Sequence, residues 1–220
     1  KMAKRRFKRS SEIYYKNLHN LIPYGVNNVK IVYDASQQVN GHTLGLDVKL
    51  YGEFVEGTDS WVTFSLMSTS MRINGKSVPL PSDQRFAINL FFTDYFPGTT
   101  RWKMAVKMVY ADGLPFGAPH RDLSDMPFRA PAYFRADLGM SYRILNNEQK
   151  IADWENTQKS KRKKHRAFFR NIWLSVEALN ILGINNVNSY YWVTDVTNRQ
   201  YAVPNYLTGR MINAKVSFDF

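Results

Sequence analysis

The chain has no cysteine in 220 residues. That excludes a disulfide scaffold and any thiolate-bound metal, and it suits passage through an oxidising compartment. No apolar run approaches the roughly 18 residues of a transmembrane helix, and the mean hydropathy is −0.40, so a helical membrane protein is excluded. Residues 1–9 are basic but no apolar stretch follows them, so they do not read as a signal peptide. Signatures of catalysis are missing as well. The four histidines at 19, 42, 120 and 165 have neither HExxH nor i, i+4 spacing, and no nucleophile elbow, phosphate loop or dinucleotide fingerprint is present. His120 with Asp122 and Asp125 is the one polar cluster of note, and an exposed loop accounts for it. No catalytic residue, metal or cofactor is expected.

A net charge of +12 raises the question of nucleic acid. Of the 30 lysines and arginines, thirteen fall at residues 1–9 and 159–170, leaving 17 against 18 acidic residues elsewhere. The excess is thus confined to a strand start and a turn. A nucleic-acid surface needs a basic stripe with interleaved aromatics, so no nucleic-acid partner is expected; contact with anionic headgroups is the functional alternative to a solvated turn.

What the chain does have is strict alternation. Ile212, Ala214, Val216, Phe218 and Phe220 alternate with Asn213, Lys215, Ser217 and Asp219 up to a terminal phenylalanine. The same period recurs at 44–51, 62–67, 86–92, 102–110, 133–144 and 171–178, and less regularly at 12–21. These segments predict about eight long strands separated by turn signals. Short turns at 56–60 and 97–100 precede longer loops at 73–83 and 111–131, as in an outer-membrane barrel with short periplasmic turns and long outer loops. Phe54, Trp61, Tyr95 and Trp102 are then expected near the periplasmic interface. The row from Trp102 to Tyr110 would span about 20 Å at a tilt of about 40°, close to the height of a lipid-facing band. A soluble β-sandwich would alternate as well. Charges such as Asp47, Lys49, Arg135, Asp137 and Glu177 on the polar rows favour a wet lumen.

Several segments together resemble the C-terminal part of the barrel of a TonB-dependent outer-membrane receptor, of the Bacteroidetes type that often carries a carboxypeptidase-regulatory-like domain. They are Tyr14-Tyr-Lys-Asn-Leu-His-Asn-Leu-Ile-Pro-Tyr24, Gly45-Leu-Asp47, Tyr110-Ala-Asp-Gly-Leu-Pro-Phe-Gly117, Ala132-Tyr-Phe-Arg-Ala-Asp-Leu-Gly139, Glu177-Ala-Leu-Asn-Ile-Leu182 and Ala202-Val-Pro-Asn-Tyr-Leu-Thr-Gly-Arg210. The resemblance implies an all-β transmembrane antiparallel barrel, in which residues 1–220 supply about eight meandering strands of the last part of a roughly 22-stranded wall. Plug, TonB-contacting and N-terminal parts are expected to lie outside these residues. The implied role is wall and outer loops for uptake, across the outer membrane of a Gram-negative bacterium, of a ligand too large or scarce for porins. The implied partners are outer-membrane lipid, the barrel-assembly machinery, the TonB complex through the plug, and a surface lipoprotein. A small autonomous barrel with a structural or adhesive role is the alternative. Tyr190, Tyr191, Trp192, Tyr201, Asp112 and Phe116 are the ligand-contacting candidates in the loops, where aromatic rings could stack on a flat ligand. Phe218 and Phe220 are the candidate assembly signal.

Overall fold

A computed structural model describes residues 7–27, 30–55, 58–118, 123–124, 128–148 and 168–220. His120, Asp122, Asp125 and most of both basic clusters fall outside these residues, as does the side chain of Phe54. The described residues form strands β1 (Phe7–Leu21), β2 (Tyr24–Asn27), β3 (Lys30–Tyr33), β4 (Val39–Val55), β5 (Thr58–Ile73), β6 (Lys76–Pro79), β7 (Phe86–Tyr95) and β8 (Trp102–Ala111). There follow β9 (Pro115–Phe116), β10 (Phe128–Arg129), β11 (Tyr133–Asn146), β12 (Asn171–Leu179), β13 (Val187–Thr194), β14 (Gln200–Tyr206) and β15 (Met211–Asp219). Eight of them make one antiparallel meander in the order β1-β4-β5-β7-β8-β11-β12-β15, with β6 added to β5. The remaining six pair as β2–β3, β9–β10 and β13–β14. The sheet does not close: β1 and β15 are its two edges.

Each long strand expected from alternation is present, and the register explains why it forms. A residue slip of one would turn a whole apolar row to the opposite face. The observed pairing avoids this across the sheet. Val48 pairs with Phe64, Phe64 with Ile88, Ile88 with Tyr110 and Tyr110 with Phe134. Further along, Phe92 pairs with Val106, Val106 with Leu138, Leu138 with Ala178 and Ala178 with Ile212. All the apolar rows therefore lie on one face. The polar rows share the other, where Lys107 stands opposite Asp137 and Glu177 opposite Asn213.

Two expectations need correction. The segment 73–83 is not wholly a loop, because Asn74 and Gly75 adopt φ of 49° and 80°. Two positive dihedrals make the type I′ turn that Asn-Gly favours, and it folds β6 back on β5. The terminal strand, read from the sequence as Asn205 to Phe220, begins only at Met211, and Asn205 and Tyr206 belong to the preceding hairpin. Trp61 and Tyr95 do lie near the short-turn end, but on the polar face: Trp61 pairs with Phe91, and the Lys103 ammonium lies 5.9 Å from the Tyr95 ring.

The short connections, β4–β5 and β7–β8, and the joint at 147–170 are at one end of the sheet. The β1–β4, β5–β7, β8–β11 and β12–β15 connections are at the other, and each carries a small hairpin or strand pair. The buried apolar core is at that loop end: Val39, Met71, Ile73, Val78 and Leu80, with Leu21 and Leu123 packed against them. Among the described residues the middle of the sheet has no such core, and nothing covers its apolar face.

Candidate functional site

Two surfaces carry the chemistry of this chain, the apolar face of the sheet and the cluster of loops at one end. On the first, Leu44, Val176 and Phe218 are 52 %, 47 % and 50 % exposed, values that in a water-soluble sheet would need a covering layer. Aromatic rings border this face at both ends. Toward the loops, Tyr110 lies 5.4 Å from Phe86 and 6.0 Å from Phe134 between ring centres. Toward the short turns, Trp102 lies 4.7 Å from Tyr142 and 6.5 Å from Phe96. Between these bands the rows are mainly Leu, Ile, Val, Met, Ala and Phe, the exceptions being Asp94 opposite Met104 and, on β1, Arg9 and Ser11 opposite Leu50 and Val48. The pattern is that of an apolar band between two aromatic girdles. Phe218 stands on the same face, opposite Ile172, and its ring is 5.4 Å from Phe169. Phe220 packs against Phe168 and Phe169 at 5.5 and 5.3 Å.

At the loop end, all four long connections meet around one cleft. Val26 comes from β2 and Pro81 from the β6–β7 segment. Leu114, Pro115, Phe116, Gly117 and Ala130 come from the β8–β11 connection, and Val187, Asn188, Ser189, Tyr190 and Trp192 from β13. Its volume of about 90 Å³ is several times the ~10–15 Å³ that one water requires. Phe116 is its organising ring: it stacks on Tyr190 at 4.4 Å and 13°, and meets Trp192 at 6.4 Å and 46° and Phe128 at 5.6 Å and 32°. Burial, and secondarily Tyr206, raises the Tyr190 phenol above its ordinary pKa.

The loops are held in place by two polar devices. In the first, Arg129 reaches from β10 to donate to Asp83 Oδ2 at 2.6 Å, Asp83 O at 2.7 Å, Gly113 O at 2.8 Å and Asp112 Oδ2 at 3.2 Å. Arg85 grips Asp112 with two more bonds, at 2.5 and 3.2 Å. The hydrogen bond from Arg85, aided by the charge of Arg129, holds the Asp112 carboxyl below the usual carboxylate range against its burial. The Asp83 carboxylate in turn accepts the Thr69 amide at 2.7 Å. In the second device, β12 ends as Asn180 takes a φ of 51°. Its amide donates to Asp137 Oδ1 at 2.8 Å, while its side chain bonds both the carbonyl and the amide of Ile184. Asn186 then pairs with Phe134 N and O through its own amide group, as a neighbouring strand would. That fixes where β13 starts.

The structure divides the loop candidates. Phe116, Tyr190 and Trp192 come together in the cleft. Tyr191 and Tyr201 do not line it; both are exposed, and the Tyr201 hydroxyl points to Asp195 at 3.4 Å. Asp112 is committed to the two arginines and supports the loop instead of lining the cleft. Arg85, Arg129, Asn180 and Asn186 were not legible as candidates. Arg129 binds partners 46 and 17 residues away, for which a single sequence carries no local sign; Asn180 had one, since asparagine after an alternating run tolerates a left-handed end. No protein-family model, curated protein or solved structure matches this chain.

Proposed function

We propose that the chain is part of the wall and outer loops of a larger outer-membrane β-barrel of the TonB-dependent receptor type, acting in uptake of a ligand first captured at the loop end. The observation that carries this is the apolar face that runs over seven strands from β4 to β15, uncovered among the described residues and bordered by aromatic rings at both ends. Water on such a face would cost roughly 25 cal/mol per Å² of apolar surface; lipid removes that cost. The charged opposite face suits an aqueous interior. The two open edges favour a segment of a wider wall over the small autonomous barrel. On this view outer-membrane lipid contacts the apolar face of a Gram-negative cell's protein, the assembly machinery reads Phe218 and Phe220, and plug, TonB complex and any surface lipoprotein act from outside these residues.

The absence of cysteine gives a clean test of facing. Val106→Cys and Lys107→Cys place a thiol on opposite faces of β8, one residue apart. In outer-membrane vesicles, a lipid-phase maleimide should label the first and a water-soluble maleimide the second. Equal labelling of both by the water-soluble reagent would overturn the proposal. So would extraction of the chain without detergent.

A further inference from the structure

We infer that the loop cleft takes an uncharged, flat, mainly apolar ring; this rests on the reading of the loop end as the place of ligand capture. Among the described residues, none of the twelve that line the cleft is Asp, Glu, Lys, Arg or His, although 48 of the 220 residues are charged. Asp83, Arg85, Asp112 and Arg129, close in sequence to the lining residues Pro81, Leu114 and Ala130, are paired with one another. A charged ligand would lose water there and find no counter-charge, a heavy cost. The upward shift of the Tyr190 phenol, caused first by burial, is what a weakly polar surrounding does to an ionisable group.

Geometry narrows the class further. Phe116 and Tyr190 already satisfy each other face to face, whereas Trp192 is inclined by 46° to Phe116. Phe116, Tyr190 and Trp192 all line the cleft, so a ring entering it meets aromatic surface. Asn188 is exposed at the rim and can donate and accept one hydrogen bond pair, and Ser189 is buried. Sugars bring many hydroxyls for which the cleft holds few partners, so a carbohydrate fits worse than an aromatic amide.

The test uses the complete outer-membrane protein that contains these residues, in outer-membrane vesicles, with tryptophan replaced biosynthetically by 5-fluorotryptophan and read by fluorine NMR. Trp192→Phe identifies the resonance at the cleft. Phenylacetamide should shift that resonance saturably and leave Trp61, Trp102 and Trp173 unmoved. Phenylacetate and phenethylammonium should bind at least about ten-fold more weakly, because their charge is stripped of water without a partner, and methyl glucoside should have no effect. Asn188→Asp, at the exposed rim, should weaken phenylacetamide several-fold while the sheet resonances report an intact fold. No response to phenylacetamide, equal or tighter binding of a charged analogue or of the sugar, or a shift spread over all the tryptophan resonances would each overturn the inference. A lipid-soluble nitroxide broadening Trp102 on the same sample reports the membrane reading separately.

Discussion

At Gly113 one atom decides a loop. A Cβ there would sit 1.7 Å from the carbonyl oxygen of Ala130, a backbone atom that no rotamer change can move. Gly113→Ala should therefore force the β8–β11 connection apart, at a cost of about 1–3 kcal/mol for an overpacked site, seen as faster amide exchange at Leu114 and Ala130. At Gly45 the nearest atoms belong to the Tyr14 ring, 2.1 Å away, which can swing aside; Gly45→Ala should be the milder change. The same loop responds to acid. Asp112 is held below its ordinary pKa by Arg85, so its ion pairs contribute fully above the unfolded carboxylate value near 3.9 and fade as pH falls through the lower folded value. Proteolysis between residues 112 and 130 should thus be flat from pH 7 to about 5 and rise below about 4. In Arg129→Ala, which leaves Asp83 and Gly113 O without their donor, it should already be fast at pH 7. Unchanged cleavage in that variant would show that the arginine does not hold the loop.

Strands were legible where a period of two had a consequence. One slip exposes every wrong residue, so alternation marked seven of the eight long strands and the side on which each row falls, whereas β1, whose Tyr14 and Leu18 face opposite to Ile13 and Tyr15, was only partly legible. The loop end obeys no period. Its small strands β9 and β10 are held by Arg129 and the Phe116 ring, both set by partners distant in sequence. Hence Phe116, Tyr190 and Trp192 could be named as candidates but not brought together. The motif around Asn180 has a local role that the structure now supplies: its left-handed φ and three hydrogen bonds close the turn that carries β13 toward the cleft. Asn180→Ala keeps the backbone bond to Asp137 but loses the two side-chain bonds to Ile184, and should cost about 2–3 kcal/mol through that loss and the strained φ. It should weaken phenylacetamide at Trp192 without disturbing the sheet. Facing gives the companion prediction. Val106→Arg and Leu138→Arg, directly paired on the apolar face, should each cost roughly 2–4 kcal/mol near mid-membrane. Ser141→Arg, on the polar face, loses the 2.8 Å bond to Ser175 and should be mild. Unfolding by urea in lipid vesicles checks all three, and equal losses would refute the faces.

For the whole molecule, the question is what happens at the two edges. Strands β1 and β15 run antiparallel and carry their apolar residues on the same face, so nothing in direction or facing forbids them from pairing. Length and filling do. β1 has 15 residues and β15 has 9, and no partner strand lies along the outer edge of either among the described residues. An eight-stranded barrel has an interior only wide enough for side chains to fill. Here the polar face would have to pack Tyr14, Tyr51, Trp61, Phe91, Tyr95, Tyr133 and Trp173 together with the lysines and arginines between them. Left open in lipid, each unsatisfied edge N–H or C=O costs several kcal/mol, and a free edge recruits other chains. The isolated 220-residue chain is therefore expected to aggregate or close poorly, and to give no steady conductance in planar bilayers. Reproducible unitary openings of constant size from the purified chain would show that β1 and β15 do join, and that the wall is complete with eight strands.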